Sequence, residues 1–227
     1  MMDLLNILKI IAAIVSVIIA ITVGIIELRL KPDNMLNRWF FLFFISISLG
    51  FLAYTTYHII LFNSDIIIPI MITGQIFFNF IPISLVMTVF IIEKYEKIAM
   101  SFRYLGIMMI LFGIMSFGYF IWVPTLDMTD YSNGIVDTST PDEWFIFVNL
   151  IRILLFAFVV YKYAKITRSI EEDTKKRIQW FFVGIIVAII GLLINLVGGM
   201  LKWIPMEIIA LIAVDIGIVL VFKGFLM

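Results

Sequence analysis

The chain has 227 residues, 63% of them apolar, with 16 Lys and Arg against 16 Asp and Glu, no cysteine and a single histidine. A mean hydropathy of +1.16 exceeds what a water-soluble domain shows, since such domains use about 45–50% apolar residues. Disulfides, thiolate metal sites, cysteine nucleophiles and histidine-rich metal centres are excluded, because His58 is the sole imidazole.

In chain order, seven apolar spans run roughly over 4–27, 38–61, 66–92, 104–123, 144–165, 178–201 and 204–226. Each is long enough to cross about 30 Å of hydrocarbon at about 1.5 Å per residue. Backbone polar groups must find partners within the segment in lipid, so the spans are expected to be helices. The predicted fold is an all-α membrane protein, a single seven-transmembrane helix bundle over 1–227. The first span is read as a retained helix: Ile10 to Ile26 exceeds the apolar core of a signal peptide, and no A-x-A cleavage site follows.

The connections alternate in charge. The first carries Arg29, Lys31 and Arg38, the third Lys94, Lys97 and Arg103, and the fifth Lys162, Lys165, Arg168, Lys175, Lys176 and Arg177. The second holds no base, and the fourth holds Asp127, Asp130, Asp137, Asp142 and Glu143 instead; only Lys202 interrupts the sixth. The positive-inside rule therefore predicts an N-terminus outside and a C-terminus in the cytoplasm, in a multi-pass protein of the cell membrane. Lys9 is expected to snorkel to the outer interface. Trp122, Trp144 and Trp203 fall at predicted outer boundaries, and Trp39 and Trp180 at inner ones, as interfacial anchors.

Pro69 and Pro82 predict a kinked or locally opened third span. Pro124 to Glu143 is the one connection long enough to form a lid. The Glu171-Glu172-Asp173 cluster within the basic fifth connection reads as a solvated segment or a docking surface for a cytoplasmic partner. No internal repeat of the kind that builds many transporters is visible.

Two ionisable side chains stand deep inside apolar spans. Arg152 and Asp215 lie about 12 and 16 Å below the same predicted face, counted at about 1.5 Å per residue. A lone charge at such depth costs at least about 2.5–3.5 kcal/mol, so opposite charges at matching depth are expected to pair inside the bundle. Gln75, Asn79, Asn149 and Asn195 are available at similar levels to line a polar pocket. That set is either a ligand- or signal-coupling site or a structural bridge that sets helix registry.

In the sixth span Gly184, Ala188, Gly191, Asn195 and Gly198 are spaced 4, 3, 4 and 3. This single small-residue face admits close approach of another helix, inside the bundle or in a dimer. Gly106 and Gly113 repeat the spacing once in the fourth span. A retinal protein would need a lysine midway along the last span, where Asp215 stands instead. No P-loop, dinucleotide turn, HExxH helix or GxSxG elbow occurs. No enzymatic activity, cofactor, metal or nucleic-acid partner is expected.

Three stretches carry a resemblance: Lys31-Pro32 to Asn37-Arg38-Trp39-Phe40-Phe41; Gly74 to Phe78 with Ile81-Pro82; and Lys175-Lys176-Arg177-Ile178-Gln179-Trp180 followed by Gly184. Together they resemble the N-terminal seven-helix membrane region of sensor histidine kinases, over almost the whole chain. Gly50 stands where that pattern commonly has a tryptophan. The resemblance implies perception of a signal at the membrane and its transfer through the last helix. Because no phospho-accepting histidine helix or ATP-binding domain follows the last span, the expectation is an input module without the kinase. It would bind a small or lipid-like ligand and signal to a separate cytoplasmic protein. Membrane lipids and a second copy of the chain are the other expected partners. Two further classes stay open, a transporter or lipid-handling protein and a structural subunit of a membrane complex.

Overall fold

The computed structural model describes residues 4–60, 63–168, 172–201 and 203–226. Among them, seven helical segments are long and apolar enough to cross a membrane, which makes the chain a multi-pass helical membrane protein. In order the helices are α1 (Leu4–Leu30), α2 (Met35–Ile59), α3 (Ile67–Lys94), the short α4 (Glu96–Ala99), α5 (Ile107–Phe117), α6 (Met128–Ser132), α7 (Asp142–Thr167), α8 (Glu172–Leu201) and α9 (Ile204–Leu226). A π-helical turn, Phe102–Gly106, and a 3-10 turn, Gly118–Phe120, extend α5 at its two ends to complete the fourth spanning segment.

Local chemistry sets several boundaries. The Asn34 side chain accepts the Leu36 N–H at 2.8 Å and caps α2, satisfying one of the donors that every helix start leaves free. Tyr95 takes a φ of +64°, a left-handed conformation that no helix continues through, and there α3 gives way to α4. The third span is not interrupted at its prolines. Pro69 sits in the first turn of α3, where a missing N–H costs nothing, and the helix runs on through Pro82.

The long helices close a ring. α1 packs on α2 and α9, α2 on α3, α3 on α7, α7 on α8, and α8 on α9, while α5 lies outside the ring against α3. The centre is filled by Phe44 and Ile47 of α2, Leu85 of α3, Phe156 of α7, Ile185 of α8 and Val214 of α9, all buried in one apolar cluster. Two polar contacts tie α7 to α3 near the end that bears the basic connections. The Lys162 ammonium lies 2.9 Å from Glu93, and the Tyr163 hydroxyl lies 2.8 Å from that of Thr88. Tyr163→Phe should therefore lower stability by about 1 kcal/mol, read as a shift in thermal unfolding in detergent.

The small-residue face of α8 meets α9. A Cβ at Gly184 would lie 2.5 Å from the Val221 nitrogen, and one at Gly191 would lie 2.9 Å from the Ala210 oxygen. From the other side, a Cβ on Gly217 would come within 2.7 Å of the Ala188 nitrogen, and Gly198 faces Met206 and Glu207. Around Gly113 a Cβ would meet nothing within 4 Å, and the nearest atoms to one at Gly106 belong to the Phe102 ring of its own segment, so that repeat of the spacing is not a close helix–helix contact. Gly50 receives the ring of Phe78 at 2.5 Å from where its Cβ would stand, which leaves no room there for a tryptophan.

Two of the expected interfacial anchors are packed inward. Trp39 is buried and stacks on Phe80 at 6.1 Å between centroids, and Trp144 is also buried. Aromatic neighbours on adjacent helices claim their area, whereas Trp203 is exposed as expected. The side chains of Glu171-Glu172-Asp173, Lys175, Lys176 and Arg177, and the whole of Lys202, lie outside the described residues.

The long acidic connection is a folded cap. β1 (Thr125–Leu126) pairs antiparallel with β2 (Thr138–Ser139), with α6 between them and Gly134 at φ +82° in the turn that follows it. Asp127 caps α6 by accepting the Thr129 and Asp130 N–H groups. Val136, Leu126 and Tyr131 of this cap pack on Tyr57, Ile67 and Met71 at the ends of α2 and α3.

Candidate functional site

Helix periodicity assembles the principal polar centre. Gln75 and Asn79 are one turn apart on α3, and Asn149 and Arg152 one turn apart on α7, so each pair shares a face. Packing of α3 on α7 turns those faces together. Arg152 Nε and Nη2 donate to Asn79 Oδ1 at 3.0 and 2.7 Å. Nη2 also reaches Gln75 Oε1 at 2.9 Å, and Nη1 reaches Asn149 Oδ1 at 3.2 Å.

The amides are themselves held. Asn79 Nδ2 donates to the Met115 carbonyl at 3.0 Å, Asn149 Nδ2 to the Phe145 carbonyl at 2.8 Å, and the Tyr119 hydroxyl to Gln75 Oε1 at 3.2 Å. Every acceptor of the guanidinium is a neutral oxygen. Among the described residues no carboxylate lies within ion-pair distance of Arg152. Fixed amide dipoles thus do for this charge what water does elsewhere, with a geometry that the planar fork of arginine suits.

The expected pairing of Arg152 with Asp215 does not form. Asp215 accepts a hydrogen bond from the Ser16 hydroxyl of α1. Depth along a helix fixes height but not the direction a side chain takes. In the ring α9 turns toward α1 and α8, whereas α7 turns toward α3 and α8, and Phe156 and Val214 stand in the apolar cluster between them. Asn195 is exposed on α8 and does not join the centre either. Of the expected set, Arg152, Gln75, Asn79 and Asn149 come together.

Sequence reasoning missed a second charged contact. Lys9 is buried rather than snorkelling, and its ammonium pairs with the Glu207 carboxylate. Lys9 Nζ also lies 5.3 Å from the centroid of the Tyr54 ring, and the His58 ring packs, tilted, against both Tyr54 and Tyr57 with centroids 4.2 and 4.3 Å away. Matching depth in the sequence points to this pair, because Lys9 and Glu207 stand early in spans that start at the same end of the bundle. Tyr119 carried no such signal, since an aromatic near a span boundary reads as an anchor.

Beside the Arg152 centre, a groove of about 580 Å³ opens on the flank between α5, its 3-10 turn and the start of α7. Ile114, Phe117, Trp122, Trp144 and Phe147 line it, and Glu143 is its charged member. Trp122 and Trp144 stack in parallel with centroids 4.8 Å apart. Trp144 lies flat on the backbone of Gly118, where a Cβ would fall 1.9 Å from the indole. Its ring also meets that of Tyr119 edge-on at 6.1 Å. Trp144, Tyr119, Gln75 and Arg152 therefore form one contiguous set of contacts from the groove into the bundle.

No protein family, curated protein or solved structure matches the chain.

Proposed function

We propose that the chain is a membrane sensor module of the cell membrane that binds a small or lipid-like ligand at the acidic end and signals by helix displacement. The contact chain from Trp144 through Tyr119 and Gln75 to Arg152 carries this reading. A ligand seated against Trp144 pushes on a hydrogen-bonded network shared by α3 and α7, two helices whose other ends carry Lys94 and Lys165. A ligand shifts such an equilibrium only by binding one arrangement more tightly than the other, so this reading requires a second hydrogen-bond pattern of the Arg152 network. The charge bias of the connections supports an N-terminus outside and a C-terminus inside. The output would then be read at the basic end by a separate cytoplasmic signalling protein. The apolar filling of the ring favours displacement of helices over passage of a solute between them.

The test uses spin labels at Lys94 and Lys165, both exposed, in nanodiscs with and without lipid extract from the native membrane. The wild-type chain should change its α3–α7 distance distribution on addition of extract. Arg152→Met should remain folded, lose about 2 kcal/mol of stability, and show one unchanging distribution. Arg152→Lys should respond partially, because it keeps the charge without the fork. Identical responses of wild type and Arg152→Met would sink the proposed coupling.

A further inference from the structure

The groove also carries information about the head group of its occupant. Its walls are hydrocarbon and aromatic, and they lie on the exposed flank of the bundle. Phe117 is 70% exposed and Ile121 68% exposed, so the groove is entered sideways from the bilayer. Glu143 stands at its rim, exposed and without an ion-pair partner among the described residues. Along the chain Glu143 closes an acidic stretch: between Arg103 and Arg152 there is no lysine or arginine, while Asp127, Asp130, Asp137, Asp142 and Glu143 all fall within it. Arg152 sits inward, its guanidinium already donating to Asn79, Gln75 and Asn149.

A tail in such a groove places its head beside the Glu143 carboxylate and the Trp122 indole. Indole faces and carboxylates both attract an ammonium group, whereas a phosphate or sulfate head meets like charge. From this charge complementarity we infer that the groove takes a single-chain amphiphile with an ammonium head, its alkyl tail along Ile114, Phe117 and Phe147 and its head beside Glu143. This deepens the sensor reading and rests on it for any signalling consequence, but the binding itself stands on the groove alone.

The probes are dodecyltrimethylammonium, dodecyl maltoside and dodecyl phosphate, each brominated in the tail so that it quenches nearby indoles. The full chain is titrated with each in neutral detergent micelles. The ammonium probe should quench at about one-tenth the mole fraction that the other two require. Glu143→Gln should bring the three midpoints together, and Glu143→Asp should keep them apart. The head-group-selective part of the quench should vanish in the Trp122→Phe, Trp144→Phe double variant, which leaves the exposed Trp203 as background, and Trp122→Phe alone, which keeps an aromatic ring where Trp122 stacks on Trp144, should already reduce it.

Equal midpoints for the three heads, or a preference unmoved by Glu143→Gln, would mean that the groove holds bulk lipid only and would overturn the inference. A preference for the phosphate would overturn it too, and would make Arg152 the head contact. Repeating the α3–α7 distance measurement at saturating ammonium probe separates the two readings. Selective quenching with an unchanged distance would leave the ligand class standing and remove the sensor function.

Discussion

Gly184→Leu should detach α9 from α8 and cost about 3 kcal/mol or more, the upper range for overpacking a close contact. The reason is what lies opposite. The first atoms a Cβ would meet are the Val221 nitrogen at 2.5 Å and the Gly217 oxygen at 2.6 Å. Both belong to backbone, which cannot rotate away as a side chain can, so the two helix axes must separate. Separation at this level also breaks the approach of Ala188 to Gly217, where a Cβ on Gly217 would lie 2.8 Å from the Ala188 Cβ. Gly184→Ala should already destabilise, and Gly217→Val should behave like Gly184→Leu.

Gly113→Ala is the control. With nothing within 4 Å of its Cβ, the added methyl should be neutral or stabilise by up to about 1 kcal/mol through helix propensity alone. Thermal unfolding in a mild detergent, read by helix signal and by protease access to α9, measures all four variants. A Gly184→Leu protein as stable as wild type would show that α8 and α9 do not touch as described.

Lys9→Met, or Glu207→Leu, should cost about 3–5 kcal/mol, as breaking a buried pair from one side does. The loss comes less from the missing attraction than from the charge left behind. Side-chain exposures of 10% for Lys9 and 15% for Glu207 leave little water to solvate the survivor. Removing both charges together, as Lys9→Met with Glu207→Leu, should recover most of that loss, because the double variant strands no charge. The double-mutant cycle in thermal unfolding therefore predicts a large favourable coupling between two positions 198 apart in sequence, Lys9 and Glu207. Purely additive losses would place the two side chains apart. Loss of the pair should also loosen the clustered Tyr54, His58 and Tyr57 rings. His58 Nδ1 lies 2.9 Å from the Tyr54 carbonyl, which makes that nitrogen the donor and orients the ring beside Lys9.

The polar centre was half legible beforehand. Arg152 stands out in the sequence because an isolated charge in an apolar run is costly, and Asn79, Gln75 and Asn149 because amides at one level are its natural partners. Depth alone groups Asp215 with them as well, but equal depth is not contact when six other helices compete for each face. The same gap hid the Trp144 to Tyr119 contact, which depends on the closeness that Gly118 permits and on how the turn after α5 meets α7.

By itself, then, the sequence determined the number, length and helical nature of the spans, because lipid leaves a backbone no other way to satisfy its polar groups. It also determined the alternation of basic and acidic connections, and the presence of a small-residue face on α8. The tertiary structure decided partners. Which helix turns toward which is set by the sum of many weak side-chain contacts around a closed ring, and that sum put Arg152 among amides, Asp215 beside Ser16, and Lys9 beside Glu207.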